Sequence, residues 1–157
     1  MRTLVALAVA GGAHGFVVPF GGVAVSHPQC ATASNCVITM AARVPFIAGN
    51  WKMNPVDLSA ATSLAKEVRK LARGCGVEVS VIPPHPFLVP VLEQVEGSKV
   101  QLGAQNLYLQ DRGAFTGAVS VSMLKSVGCA YVLVGHSERR VIFKDDDAAI
   151  NSKLRKV

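Results

Sequence analysis

The first 42 residues contain no aspartate or glutamate and a single charge, Arg2, while every other charged side chain lies from Arg43 onward. That absence marks a composition break near Ala42. Cysteine is also scarce: Cys30 and Cys36 precede the break, Cys75 and Cys129 follow it beside glycines, and no CxxC pair or histidine at ligand spacing accompanies them. This argues against a zinc site and points to a reduced interior. The sequence lacks a GxGxxG turn after its first strand-like run, which disfavours dinucleotide binding. It also lacks an apolar run long enough to span a bilayer as a helix.

What is present suffices for a folded domain. Half of the 157 residues are hydrophobic, which supports one core and excludes a wholly disordered chain. The net charge is +6, or +5 without Arg2, and the basic residues are spread over helix faces and loops. A nucleic-acid binder would cluster them with stacking aromatics, so solubility and an anionic small substrate are the better reading. No nucleic-acid partner is expected.

Arg2 is followed by the short apolar run from Leu4 to Ala10 and by Gly11, Gly12 and Ala13, the layout of a cleavable signal peptide. From Phe16 to Met40 the chain is rich in Ser, Thr, Ala and Gly, as plastid transit peptides are. The pair resembles the two-part leaders of algae with secondary plastids. Residues 1–42 are therefore expected to be a targeting leader to a plastid, with no membrane attachment once it is removed. Initiation at Met40 would instead give a cytoplasmic form.

Beyond the leader, strand-like and helix-like segments alternate. Strands are predicted near Pro45 to Gly49, Val77 to Ile82, Val100 to Ala104 and Tyr131 to Val134. Helices are predicted near Leu58 to Ala72, Leu88 to Val95, Val119 to Val127 and Asp147 to Lys156. The first helix should bury Ala61, Leu64, Ala65, Val68, Leu71 and Ala72 and start on Asp57. In the last helix, Lys153, Arg155 and Lys156 complement the C-terminal dipole. Four βα units fit either a doubly wound sheet or half of an eightfold barrel. Polar residues at the ends of several strands lean toward the barrel, whose sites collect at the C-terminal rim.

Two strand exits carry candidate chemistry. His136 follows the fourth strand at the start of a helical turn with Ser137 and Glu138, where the helix dipole disfavours an imidazolium and leaves a ring able to donate to a carbonyl oxygen. Asn50 and Lys52 follow the first strand; the ammonium could attract a phosphate or stabilise an enediolate, and the amide could orient the same oxygens. Arg139 and Arg140 make ion pairing the default reading of Glu138. No nucleophile or metal cluster is evident.

Four ordered motifs, Gly49-Asn50-Trp51-Lys52-Met53-Asn54, Gly103-Ala104-Gln105-Asn106, Gly113-Ala114-Phe115-Thr116-Gly117 and Gly135-His136-Ser137-Glu138-Arg139-Arg140, resemble the triosephosphate isomerase family. The resemblance implies a (β/α)8 TIM barrel, of which residues 43–157 hold the first four βα units, a half barrel. It implies interconversion of dihydroxyacetone phosphate and D-glyceraldehyde 3-phosphate through an enediolate, in glycolysis, gluconeogenesis or plastid carbon metabolism, without cofactor or metal. The family's established chemistry pairs a glutamate base with a neutral histidine. Here His136 and Lys52 would be catalytic, Asn50 and Lys52 would bind substrate, and Glu138 and Ser137 would support them. The stretch from Gln105 to Gly117 resembles the family's homodimer arm, with Thr116, Gln105, Phe115 and Arg139 at the interface. Ala118 stands where a glutamate is usual, which would weaken an intersubunit ion pair with Arg139.

The family's catalytic glutamate and later phosphate-binding glycine loops have no counterpart in these residues. The expectation is a chain inactive by itself, with two unpaired sheet edges and a tendency to self-associate. The alternative is a non-catalytic half barrel that binds a full-length subunit.

Overall fold

The computed structural model describes residues 5–6, 15–20 and 44–157. Four parallel strands in chain order form its centre: β3 (Phe46–Asn50), β4 (Glu78–Ile82), β5 (Val100–Ala104) and β6 (Tyr131–Val134). Their registers set Phe46 beside Glu78, Val79 beside Val100 and Gly103 beside Tyr131. Between them run α1 (Leu58–Leu71), α2 (Leu88–Val95) and α3 (Val121–Ser126), while α4 (Ser137–Val141) and α5 (Asp147–Lys156) follow β6. This strand–helix alternation is the partial α/β barrel that the family resemblance implies, one of the two architectures the pattern left open.

Local chemistry starts and stops the helices. The Asp57 carboxylate accepts from Ala60 N at 2.8 Å, and Asp146 does the same for Ala149 N at 2.7 Å, satisfying free donors of the first turns of α1 and α5. Ser120 caps α3 through Met123 N at 3.1 Å. That helix starts two residues later than predicted because Val119 is used otherwise: its carbonyl accepts from Tyr108 N at 2.8 Å.

β4, β5 and β6 are covered on both faces and read as nearly continuous apolar runs, whereas β3 buries Ala48 and leaves Ile47 exposed on its other face. Toward the helices, Val81, Leu102, Ala104, Val132 and Val134 meet Ala61, Ala65, Leu88, Val91, Leu124 and Ile150. On the opposite face Ala48, Ile82 and Leu133 gather with Val17, flanked by Phe46 and Tyr131. The Tyr131 hydroxyl donates to Glu78 across that face, and its ring lies 4.8 Å from that of Phe46.

Three expectations change. Leu64 and Leu71 of α1 are 38% and 79% exposed, because α1 packs through its small residues Ala61 and Ala65 and leaves those leucines on a flank that no described element covers. Lys153 turns inward rather than toward the helix end, since Asp145 and Asn106 supply it with partners. The sheet also takes in residues expected to be leader: β2 (Phe16–Pro19) pairs antiparallel with β6, and β1 (Val5–Ala6) pairs with β2, so β1 and β3 stand at its edges. The sheet order is β1-β2-β6-β5-β4-β3. The β-forming, apolar character of Phe16, Val17 and Val18 matches the pleat of β6, and the composition break near Ala42 concealed it.

Candidate active site

All the polar strand exits lie at the C-terminal ends of the parallel strands, where they line an open cleft of about 820 Å³. Asn50 closes β3, and its Oδ1 accepts from Lys52 N at 3.0 Å. Lys52 takes a positive φ of 56°, a backbone state that costs a branched-at-nothing lysine less than a β-branched residue but still requires external support. Gln105, just past β5, supplies it: its Nε2 donates to Lys52 O at 2.6 Å and to Ile82 O at 3.1 Å. One amide thus holds together the exits of β3, β4 and β5.

From this turn the Lys52 ammonium reaches across the cleft to Glu138 Oε1 at 2.6 Å. The other carboxylate oxygen of Glu138 lies 3.6 Å from His136 Nδ1. The hydrogen bond and charge of Lys52, with His136 adding a smaller effect, hold the Glu138 carboxyl below the usual glutamate range. Arg139 and Arg140 do not pair with Glu138. Arg139 instead donates to Asp145 at 3.1 and 3.3 Å, while Arg140 binds Gly135 O at 3.0 Å and Asp147 at 2.7 Å.

His136 is buried, 6% exposed, and caps α4: its Nδ1 accepts from Glu138 N at 3.2 Å. An accepting Nδ1 carries no proton, so the ring proton sits on Nε2 and is free for another acceptor. Gly135 delivers this ring by a φ of 69°, with Ile150 so near that an added Cβ would lie 3.1 Å from its Cγ2. Ser137 opens α4 beside it.

A second layer of the cleft was not evident from the sequence. Lys153, 6% exposed, donates to Asp145 at 2.6 Å and to Asn106 Oδ1 at 3.1 Å. Burial pushes the Asp145 carboxyl up, but hydrogen bonds and charge from Arg139 and Lys153 outweigh it and the net direction is down. His85, in the proline-rich turn after β4, contacts Asn106 O at 3.2 Å; burial lowers its pKa, the Asn106 carbonyl opposes this, and Arg139 adds to it. Two sequence signals touched this layer: Asn106, inside the Gly103–Asn106 motif, and the acidic run Asp145-Asp146-Asp147, which reads first as complementing the helix dipole.

The stretch from Gln105 to Gly117 projects with Phe115 and Thr116 exposed, and Phe115 packs its ring 4.8 Å from Tyr108. Gln105 faces inward to Lys52, and Arg139 is engaged within the chain by Asp145 and by the Phe143 ring at 4.3 Å. Among the described residues no cluster of His, Cys, Asp or Glu could hold a metal ion. No helix among them is long and apolar enough to cross a membrane.

Residues 45–157 match the family model described as Triosephosphate isomerase. Three relatives carry the name "Triosephosphate isomerase": from Carboxydothermus hydrogenoformans, 49% identical and covering 72% of this chain and 45% of the relative; from Clostridium botulinum, 43% identical and covering 73% and 46%; and from Caldanaerobacter subterraneus, 45% identical and covering 71% and 45%. The chain thus spans somewhat under half the length of these curated relatives.

Proposed function

Because this chain belongs to the triosephosphate isomerase family, we propose that its cleft binds a triose phosphate and contributes to the interconversion of dihydroxyacetone phosphate and D-glyceraldehyde 3-phosphate. The observation that carries this reading is the convergence of Lys52, Glu138 and His136 from the exits of two different parallel strands. Proton removal beside a carbonyl builds negative charge on oxygen. The Lys52 ammonium and the His136 Nε2–H are two fixed donors suited to that charge, and donors already in position act without reorganisation in the transition state. Asn50 steadies the Lys52 turn and offers its amide NH2 to the same substrate. Glu138 positions Lys52, and Ser137 supports the helix start. No cofactor is required.

The proton-abstracting base comes from outside this cleft. Its lining carboxylates among the described residues are Glu138 and Asp145, and both are held ionised by cationic donors whose release would be required first. Residues 43–157 alone therefore bind but do not turn over, since a general base is typically worth about 10²–10⁴-fold. In the complete enzyme the exposed Phe115 and Thr116 serve a homodimer arm, with Gln105 and Arg139 behind it, and residues 1–42 direct the chain to a plastid.

The test is a titration of the chain with dihydroxyacetone phosphate in D2O, followed by NMR. Expected are shifts of the Lys52 and His136 side-chain signals with no deuterium entering the substrate carbon. Silent Lys52 and His136 signals would remove the substrate assignment, and deuterium uptake would remove the claim of a missing base.

A further inference from the structure

At the end of the parallel strands opposite the cleft, the turn after α1 and the turn after α2 border an open hollow of about 380 Å³. Arg69 and Arg73 line it from the end of α1, and Lys99 lines it just before β5, with Gly74, Gly97 and Ser98 among the remaining wall. The length of β5, roughly 13 Å at the rise of a parallel strand, separates it from the cleft. Arg69 and Arg73 stand four residues apart, on one face of α1, where like charges repel. Lys99 brings a third cation from the other turn. No carboxylate lines the hollow, and among the described residues none of these three cations forms an ion pair. Glu96, beside Gly97, is exposed and outside the lining, and the residues before Arg43 contain no Asp or Glu that could supply a partner.

The ordinary task of such residues is to offset helix C-termini, and part of the charge is spent on it. Arg69 Nη1 donates to Gln94 O at 3.1 Å in the last turn of α2, and Lys70 serves the end of α1. Two helix ends together present about −1 at most, so three full cations leave a surplus of about +2. Ser98 adds no donor, because its hydroxyl donates to Val95 O at 2.6 Å and accepts from Val100 N at 3.1 Å. The side chains with bonding capacity left are therefore cationic donors: Arg73, Lys99 and the rest of the Arg69 fork. That set is complementary to an acceptor-only, multiply charged group, and a guanidinium fork matches phosphoryl oxygens in pairs. We propose that this hollow is an anion site separate from the cleft, taking a small soluble anion that bears two phosphoryl groups. The charge surplus and the donors on two walls call for more than one anionic group. An added Cβ at Gly74 or Gly97 would meet nothing within 4 Å, so the approach is unobstructed. The bound anion ties the end of α1 to the turn before β5, and a ligand held only by the folded chain raises its stability. None of this depends on the isomerase reading.

The experiment titrates the full chain with inorganic pyrophosphate at constant ionic strength and follows the Gly74, Gly97 and Ser98 amides by NMR. Expected are shifts of these amides that saturate, with inorganic phosphate binding more weakly than pyrophosphate. The double variant Arg73→Gln with Lys99→Gln changes two exposed side chains and should weaken pyrophosphate binding at least about tenfold. Lys52→Met, in the cleft, should leave this titration unchanged. Shifts that never saturate and are shared by all surface lysines and arginines would overturn the proposal, as would a titration that the double variant leaves intact or that Lys52→Met abolishes. Equal affinity for phosphate and pyrophosphate would overturn the requirement for two phosphoryl groups. Thermal unfolding gives a second reading, made in the Lys52→Met background to weaken binding in the cleft. Pyrophosphate should raise the midpoint there, and should not once Arg73→Gln and Lys99→Gln are added; equal rises count against the site.

Discussion

The Lys52 ammonium sits 2.6 Å from Glu138 Oε1 and thereby joins the turn after β3 to the helix that begins beside His136. The two residues are far apart in sequence and come from opposite sides of the four parallel strands. Their contact fixes where positive charge stands in the cleft.

The first prediction concerns its pH dependence. The Glu138 carboxyl is held below its ordinary value of 4.5, chiefly by the Lys52 hydrogen bond. Its stabilisation is therefore fully present above pH 4.5 and fades as the pH falls through the lower, folded-state value. A carbon-13 titration of the Glu138 carboxyl should have its midpoint below 4.5, and Lys52→Met should move it upward. An unmoved midpoint in that variant would show that Lys52 is not the cause.

The ring of His136 makes a second test. Because Nδ1 accepts from Glu138 N, nitrogen NMR at neutral pH should show the proton on Nε2. A proton found on Nδ1 would break the cap and remove the donor assigned to the substrate oxygen.

Asp145 binds Arg139 and the buried Lys153, with side-chain exposures of 12% for Asp145 and 7% for Lys153. Asp145→Ala leaves Lys153 buried without its counter-charge, and urea unfolding should show a loss of about 3–5 kcal/mol. The double variant with Lys153→Met should recover much of it, since the orphaned charge is gone. A loss under about 1 kcal/mol would assign the pair to the weak class of exposed ion pairs.

Gly135 turns the chain out of β6 at a φ of 69°, against Ile150. Gly135→Ala should cost about 1–2 kcal/mol from the left-handed backbone alone. In an Ile150→Ala background, which lacks both the Cγ2 and Cδ1 atoms nearest the new Cβ, the cost of Gly135→Ala should lose only its steric part. A cost that vanishes in that background would mean that contact, rather than backbone strain, governs the position.

Much of the architecture was legible because local rules and tertiary demands agree. Val100 to Ala104, Tyr131 to Val134 and Leu88 to Val95 have the bounds their patterns predict, set by apolar runs between glycine, proline and capping residues. Leu64 and Leu71 misled because periodicity identifies an apolar face and not what stands opposite it. The same limit hid β2, whose residues carry strand propensity but lie in a region set apart by its lack of charge.

The sequence by itself determined the alternation of strands and helices, their caps, and the placing of Asn50, Lys52 and His136 at or just beyond strand ends, since these depend on neighbours within a few positions. The family resemblance implied that Glu138 bonds to or orients Lys52, against the local reading that favoured Arg139 and Arg140; only the tertiary structure decided that Gln105 braces the Lys52 turn and that Lys153 turns inward to Asp145. Those choices depend on distances across the sheet, where several donors compete for few carboxylates and burial selects among them.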